Sequence, residues 1–167
     1  DDKLGILDVR VLLNNKEQID IEIQVTASEY WAERTLFYLG KMFTDQLKPG
    51  EDYQKLEKCI HVGILNFTLF DDEEYYSRFH FWSDQGRKMY SDKYEIHTLE
   101  LPKLAKHEYP ETELLKWLQF INAESKEEFE MAAEKSEYIK KAYEDLNRIS
   151  ADEEKRLEYE ERERAIR

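Results

Sequence analysis

Strict alternation of apolar and polar residues predicts two strands joined by a tight turn between Gly5 and Thr26. The second strand carries its β-branched residues on one face and its polar residues on the other: Ile19, Ile21, Ile23 and Val25 against Asp20, Glu22, Gln24 and Thr26. We expect the β-branched face to be the buried one. The turn is predicted at Asn14-Asn15-Lys16, because Asn tolerates the left-handed backbone that a short hairpin needs.

The pairing register of this hairpin brings two acids together. Directly opposed residues of an antiparallel pair share a face, and a three-residue loop over 14–16 places Asp8 across from Glu22. Opposed Cβ atoms lie about 5 Å apart, so the two carboxylates would repel each other. A proton, a cation or a divalent metal relieves that repulsion. Carboxylates with nearby backbone carbonyls suit a hard, oxygen-seeking ion such as Mg²⁺.

The segment over 27–47 is predicted to be a helix with Ser28 as its N-cap and Lys48-Pro49-Gly50 as its stop. Its apolar stripe is predicted to be Leu36, Leu39, Phe43 and Leu47, while Trp31, Arg34, Tyr38, Lys41 and Asp45 share another face. The nearly continuous apolar run over 59–70 is typical of a central strand.

Further along, the pattern predicts a hairpin with strands over 75–83 and 93–101, then a helix over 111–122. From Ser125 onward the chain is helical and highly charged. The segment Ser150-Ala151-Asp152-Glu153 resembles a new N-cap, so we expect a helix break there.

Composition restricts the class of protein. The 167 residues include 25 Lys and Arg against 38 Asp and Glu, a net charge of −13, which is the wrong sign for a general nucleic-acid binder. A single cysteine excludes a disulfide framework and predicts a reducing compartment. No apolar run reaches membrane-spanning length and no signal peptide is visible, so a cytoplasmic protein without membrane partners is expected.

Asp8 followed by Glu22-Ile23-Gln24 on the next strand resembles the PD-(D/E)XK nuclease signature, in the form found in transposase-like, recombination-promoting (Rpn-type) nucleases. In that family Gln often stands where a lysine would be expected. The resemblance covers most of residues 1–150 and continues through ordered landmarks: Arg34, Tyr38, Gln46-Leu47, Gly50, Tyr53, Ile64-Leu65-Asn66-Phe67, Ile96-His97 and Glu100-Leu101-Pro102-Lys103.

The resemblance implies an α+β, restriction-endonuclease-like fold: a mixed sheet, a helix after the strand that carries Glu22 and Gln24, and a charged C-terminal helical extension. It also implies the domain limits, a nuclease-like core over 1–122 and the extension over 123–167. Compared with the family, the N-terminal helix and first strand are expected to be missing.

The implied chemistry is metal-assisted hydrolysis of DNA, linked to recombination or transposition, with Mg²⁺ (or Mn²⁺) as the cofactor. Asp8, Glu22 and the backbone carbonyl of Ile23 would bind the ion. Gln24 carries no charge, so Arg34 on the following helix is the candidate source of the missing cation. The catalytic candidates are therefore Asp8, Glu22, Gln24 and Arg34.

Simpler interpretations compete with these roles. The two acids could decorate a solvated sheet face, and Arg34 could pair with Glu33 or Asp45 on the surface. Asp20 is more simply a surface charge than a metal ligand, and His61 a strand residue with ordinary hydrogen bonds. The alternative for the whole chain is a catalytically inactive interaction module, which could form a homodimer through its helices and which the charge of −13 favours.

Overall fold

The N-terminal hairpin forms with the predicted register. The computed structural model describes residues 6–14 and 16–166, so Gly5 and Asn15 of the predicted hairpin lie outside the described residues. Strands β1 (Ile6–Leu13) and β2 (Glu17–Gln24) run antiparallel, and Asp8 pairs with Glu22 as predicted. Asn14 has a φ of 51°, the left-handed conformation expected of a turn asparagine.

The predicted burial of β2 is wrong. Asp20, Glu22 and Gln24 are buried, while the alternate isoleucines are only half-buried and Val25 is exposed. The reason is the path of the chain after β2. Helix α1 (Trp31–Thr44) folds back over the polar face of the hairpin, so the acidic residues lie beneath it.

Three more strands complete a mixed sheet in the order β1-β2-β3-β5-β4. Strand β3 (Cys59–Leu65) is central, as predicted, and pairs in parallel with β2 and with β5 (Met89–Glu100). Strand β4 (Tyr76–Trp82) closes the predicted second hairpin by pairing antiparallel to β5. Short 3₁₀ turns lie at Tyr53–Lys55 and Leu101–Ala105.

Helix α1 packs a stripe onto the sheet that only partly matches the predicted one. Its buried residues are Trp31, Thr35, Leu39 and Met42, whereas Leu36 is exposed. Leu39, Met42 and the Cys59 side chain of β3 form an apolar core that Phe43, Tyr94 and Ile96 extend. The helix also begins later than predicted, and its N-cap position, Tyr30, makes no side-chain capping bond.

The chain divides into two compact units, Asp1–Glu108 and Tyr109–Arg167. The second unit contains α2 (Glu113–Ile121), α3 (Lys126–Glu134) and α4 (Glu137–Ile166). The Phe129 ring of α3 contacts Phe120 and stacks on Tyr143. These units are defined by packing, and the functional limits at 122 and 123 stay a prediction.

The predicted break near Ser150 is wrong, because α4 continues through it to Ile166. The segment contains no Gly or Pro and is rich in Glu, Lys, Arg and Ala, which are strong helix formers. Among the described residues, no helix combines the length and the apolar character needed to cross a membrane.

Candidate metal centre

Three neighbouring strands place polar side chains on the face of the sheet beneath α1. Asp8 of β1 lies opposite Glu22 of β2, and Asp20 of β2 lies beside His61 of β3 in the parallel ladder. Alternate residues of a strand share a face, so Asp20 and Glu22 project to the same side. The pairing therefore brings one histidine and several acids together at the middle of the sheet.

The centre of this cluster is buried. Asp20 and Glu22 are each 3% exposed, and His61 is 1% exposed. The His61 Nε2 atom lies 3.2 Å from Glu22 Oε2 and 3.8 Å from Asp20 Oδ2. Burying two carboxylates at this depth is costly unless cations or hydrogen-bond donors compensate them.

Arg34 supplies one compensating charge from α1. Its Nη1 donates to Glu22 Oε1 at 2.5 Å and to Gln24 Oε1 at 3.4 Å. The guanidinium carbon lies 5.9 Å from the Trp31 ring centre and 5.1 Å from that of Tyr38, within the range of cation–π attraction. Arg34 therefore faces the acidic cluster, and the competing interpretation of a surface pair with Glu33 or Asp45 is wrong.

Trp31 covers the inner end of the cluster. Its ring meets the His61 ring edge-on, with 5.7 Å between the ring centres. Gly63, two residues along β3, provides the space for this indole, since a Cβ added there would lie 2.6 Å from Trp31 Cζ2. A glycine in the middle of a central strand is thus explained by close packing.

The surroundings of Glu22 and Asp20 shift the pKa values of these two acids in opposite directions. Burial raises the pKa of Glu22, but the hydrogen bonds from His61 and Arg34 outweigh it, so the pKa is lowered overall. Glu22 is therefore held in its ionised form. For Asp20, burial, a hydrogen bond with Asp8 and the Asp8 charge together raise the pKa to about 7. Nearby His61 and Arg10 oppose that rise without cancelling it.

The geometry of the cluster fits a divalent ion. Among the described residues, Asp20, Glu22 and His61 offer ligand atoms that all lie within 4.8 Å of one another. Adjacent ligands of an octahedral ion with bonds near 2.1 Å are about 3 Å apart, and His61 Nε2 lies 3.2 Å from Glu22 Oε2 and 3.8 Å from Asp20 Oδ2. Within the described part of the chain, Asp20 Oδ1 is buried without a hydrogen-bond partner. A cation would satisfy that oxygen and the excess negative charge.

The structure brings the predicted residues to one face in different roles. Asp8 is exposed at the rim and hydrogen-bonds with Asp20, while Glu22 lies at the centre. Gln24 is buried, donates from Nε2 to Thr26 O at 3.0 Å and accepts from Arg34. Ile23 is half-buried in the strand, and its role as a carbonyl ligand stays a prediction.

Two residues of the cluster were undervalued by sequence reasoning. The interpretation of Asp20 as a surface charge is wrong, because its carboxylate is buried beside His61. His61 has more than an ordinary strand hydrogen bond, since it faces two acids. The available signal was a lone histidine within the apolar strand Cys59–Leu65. Arg10, which pairs with Asp20 across the hairpin, adds an exposed cation to the rim.

Comparison with known proteins identifies the wider group. The family model described as "PD-(D/E)XK nuclease family transposase" matches residues 1–167. No curated protein and no solved structure gives a match. The family match covers the whole chain, including the hairpin, the helix and the strand that build the acidic cluster.

Proposed function

Because the chain belongs to the PD-(D/E)XK nuclease family transposases, we propose that it is a divalent-metal-dependent DNA endonuclease that acts in recombination or transposition. The observation that carries this proposal is the buried cluster of Asp20, Glu22 and His61 with Asp8 at its open edge. Nuclease chemistry needs such a cation site, because phosphodiester hydrolysis develops negative charge that must be stabilised.

Asp8, Glu22 and the Ile23 carbonyl would hold the ion, with Asp20 beside them. An ion bound there would polarise the scissile phosphate and lower the pKa of a bound water. The oxygen ligands alone would suit Mg²⁺, with Mn²⁺ as the alternative.

Arg34 and Gln24 would position the groups that take part in hydrolysis. Arg34 keeps Glu22 ionised and places a guanidinium beside Gln24, at the position where a lysine would be expected from the signature. The Gln24 side chain is fixed by Thr26 and Arg34, so its amide is held in place. The arginine thus supports the hypothesis that the following helix supplies the missing cation.

Arg10 and the net charge of the chain would affect how DNA binds. Arg10 is exposed on the same face as Asp8 and would contact a substrate phosphate. The net charge of −13 opposes tight binding, so we expect transient, salt-sensitive association governed by the metal and a few arginines.

The decisive experiment is cleavage of supercoiled plasmid and linear DNA by the purified protein with Mg²⁺ or Mn²⁺. Asp8→Asn and Glu22→Gln are expected to abolish cleavage, whereas Glu33→Gln removes an exposed acid on α1 and should leave it unchanged. Equal cleavage by all four proteins would refute the site assignment, because the DNA would then be cut without the carboxylates of Asp8 and Glu22.

The second candidate function is an inactive interaction module, which the charge of −13 favours. It predicts no specific uptake of Mg²⁺ or Mn²⁺ in calorimetry. Light scattering would show whether the chain forms the proposed homodimer.

A further inference from the structure

The two nitrogens of the His61 imidazole have different surroundings. Nε2 faces Glu22 Oε2 at 3.2 Å and Asp20 Oδ2 at 3.8 Å. Within the described residues, Nδ1 is buried without a hydrogen-bond partner, and the ring meets Trp31 edge-on. Nε2 is therefore the nitrogen that faces the acids; as a metal ligand it would carry no proton, so the neutral ring would hold its proton on Nδ1.

We propose that His61 Nε2 is itself a ligand of the divalent ion and that this nitrogen makes the site prefer Mn²⁺ over Mg²⁺. The inference rests on the proposed function, because it concerns the same cluster. It goes beyond that function by naming a nitrogen ligand and an ion preference.

A purely hydrogen-bonding histidine explains less of the arrangement. It would satisfy Glu22 Oε2, but Asp20 Oδ1 would stay buried without a partner among the described residues. Glu22 already has Arg34 as a second partner, so it does not depend on His61 alone. An ion between Asp20, Glu22 and His61 would give a partner to both carboxylates and to His61 Nε2 at once.

The donor set determines which ion is favoured. Carboxylate oxygens suit Mg²⁺ and Mn²⁺ alike, whereas imidazole nitrogen suits first-row transition metals and is a poor ligand for Mg²⁺. One nitrogen ligand among oxygen ligands therefore favours Mn²⁺ over Mg²⁺. The His61 side chain is buried and meets the buried Trp31 ring edge-on, so packing restricts rotation of the imidazole away from the acids.

The test is pulsed electron paramagnetic resonance of Mn²⁺ bound to the full chain. Electron spin-echo modulation detects a nitrogen bonded to Mn²⁺, and labelling the protein with ¹⁵N-histidine changes the pattern only if that nitrogen is imidazole. We expect the histidine pattern in the wild-type protein. This readout does not depend on cleavage, nor on whether a variant folds.

Variants then identify which histidine is involved. His61→Asn should lose the nitrogen pattern and lower the ratio of Mn²⁺ to Mg²⁺ affinity, measured by calorimetry, by about tenfold or more. His107→Gln alters a more exposed histidine of the same unit and should change neither quantity. Circular dichroism establishes that each variant is folded. If His61→Asn does not fold, the labelled wild-type spectrum alone decides.

The outcomes separate this inference from the proposed function. A histidine pattern that disappears with His61 supports the inference. Mn²⁺ binding without any histidine pattern overturns it and leaves metal-dependent cleavage intact. No specific binding of Mn²⁺ or Mg²⁺ overturns both.

Discussion

Replacing Asp20 with Asn should stabilise the metal-free protein above neutral pH. The raised pKa of Asp20, about 7 against an ordinary 3.8, means that the folded state holds a proton that the unfolded state releases at lower pH. Stability is therefore highest below about pH 4 as far as this group is concerned, and it falls as pH rises toward 7. Above pH 7 the buried carboxylate is ionised in both states and its full cost remains.

The size of the stability change follows from the pKa shift of Asp20. Each unit of pKa difference corresponds to about 1.4 kcal/mol, so the shift sets an upper limit of about 4 kcal/mol on the destabilisation by Asp20. The Asn amide can donate to Asp8 as the carboxylic proton does, but its oxygen takes over the position of the unpartnered Asp20 Oδ1. We expect a net gain of about 1–3 kcal/mol at about pH 8, and little change at about pH 4.

The assay is urea unfolding in a chelator at both pH values, followed through tryptophan fluorescence, to which the buried Trp31 contributes. Glu33→Gln removes an exposed carboxylate and should not alter the pH dependence. Adding Mn²⁺ at about 100 times its dissociation constant should stabilise the wild type by about 2.7 kcal/mol and stabilise Asp20→Asn much less. An Asp20→Asn protein that is no more stable than wild type at the higher pH would refute the reasoning.

Two further substitutions test the packing of Trp31 against Gly63 and the buried ion pair between Lys103 and Glu100. Gly63→Ala should destabilise by about 1–3 kcal/mol and change the near-ultraviolet dichroism of Trp31, because the new methyl group would lie 2.6 Å from the indole. Gly40→Ala is the matched control: its nearest neighbour is 3.7 Å away and it lies within α1, so unfolding should show no loss or a gain of up to about 1 kcal/mol. Lys103→Met should cost about 3–5 kcal/mol in denaturant unfolding, because it leaves the buried Glu100 carboxylate without its ammonium partner at 3.0 Å; a cost below 1 kcal/mol would contradict this account.

Local patterns were sufficient for the framework of the fold. The alternation in β1 and β2 and the three-residue turn predicted the Asp8–Glu22 register, which is confirmed. The apolar run beginning at Cys59 predicted the central strand, also confirmed. These predictions succeeded because the register of a hairpin and the period of a strand are set by residues close in sequence. The resemblance to a nuclease family, confirmed by the family match, supplied the α+β architecture.

The choice of buried face depended on contacts distant in sequence. Period two separates Asp20 and Glu22 from the isoleucines, but it does not say which face the next helix will cover. That was decided by Trp31 packing over Gly63 and by Arg34 reaching Glu22. The partnership of Asp20 with His61 required the parallel register of β2 and β3, which no local pattern gives.

The burial of the polar face of β2 in place of its isoleucine face links the fold to its proposed chemistry. An ordinary half-buried strand would place its isoleucines inward and gain apolar burial. Here β2 places two carboxylates beneath a helix; Arg34 pairs with Glu22, while His61 and the exposed Arg10 oppose the pKa rise of Asp20 without cancelling it. Burial of Asp20 next to Asp8 explains its high pKa and makes the metal-free state less stable than it could be. A divalent ion bound there would remove that penalty, so we expect stability and metal binding to be coupled at Asp20, Glu22 and His61.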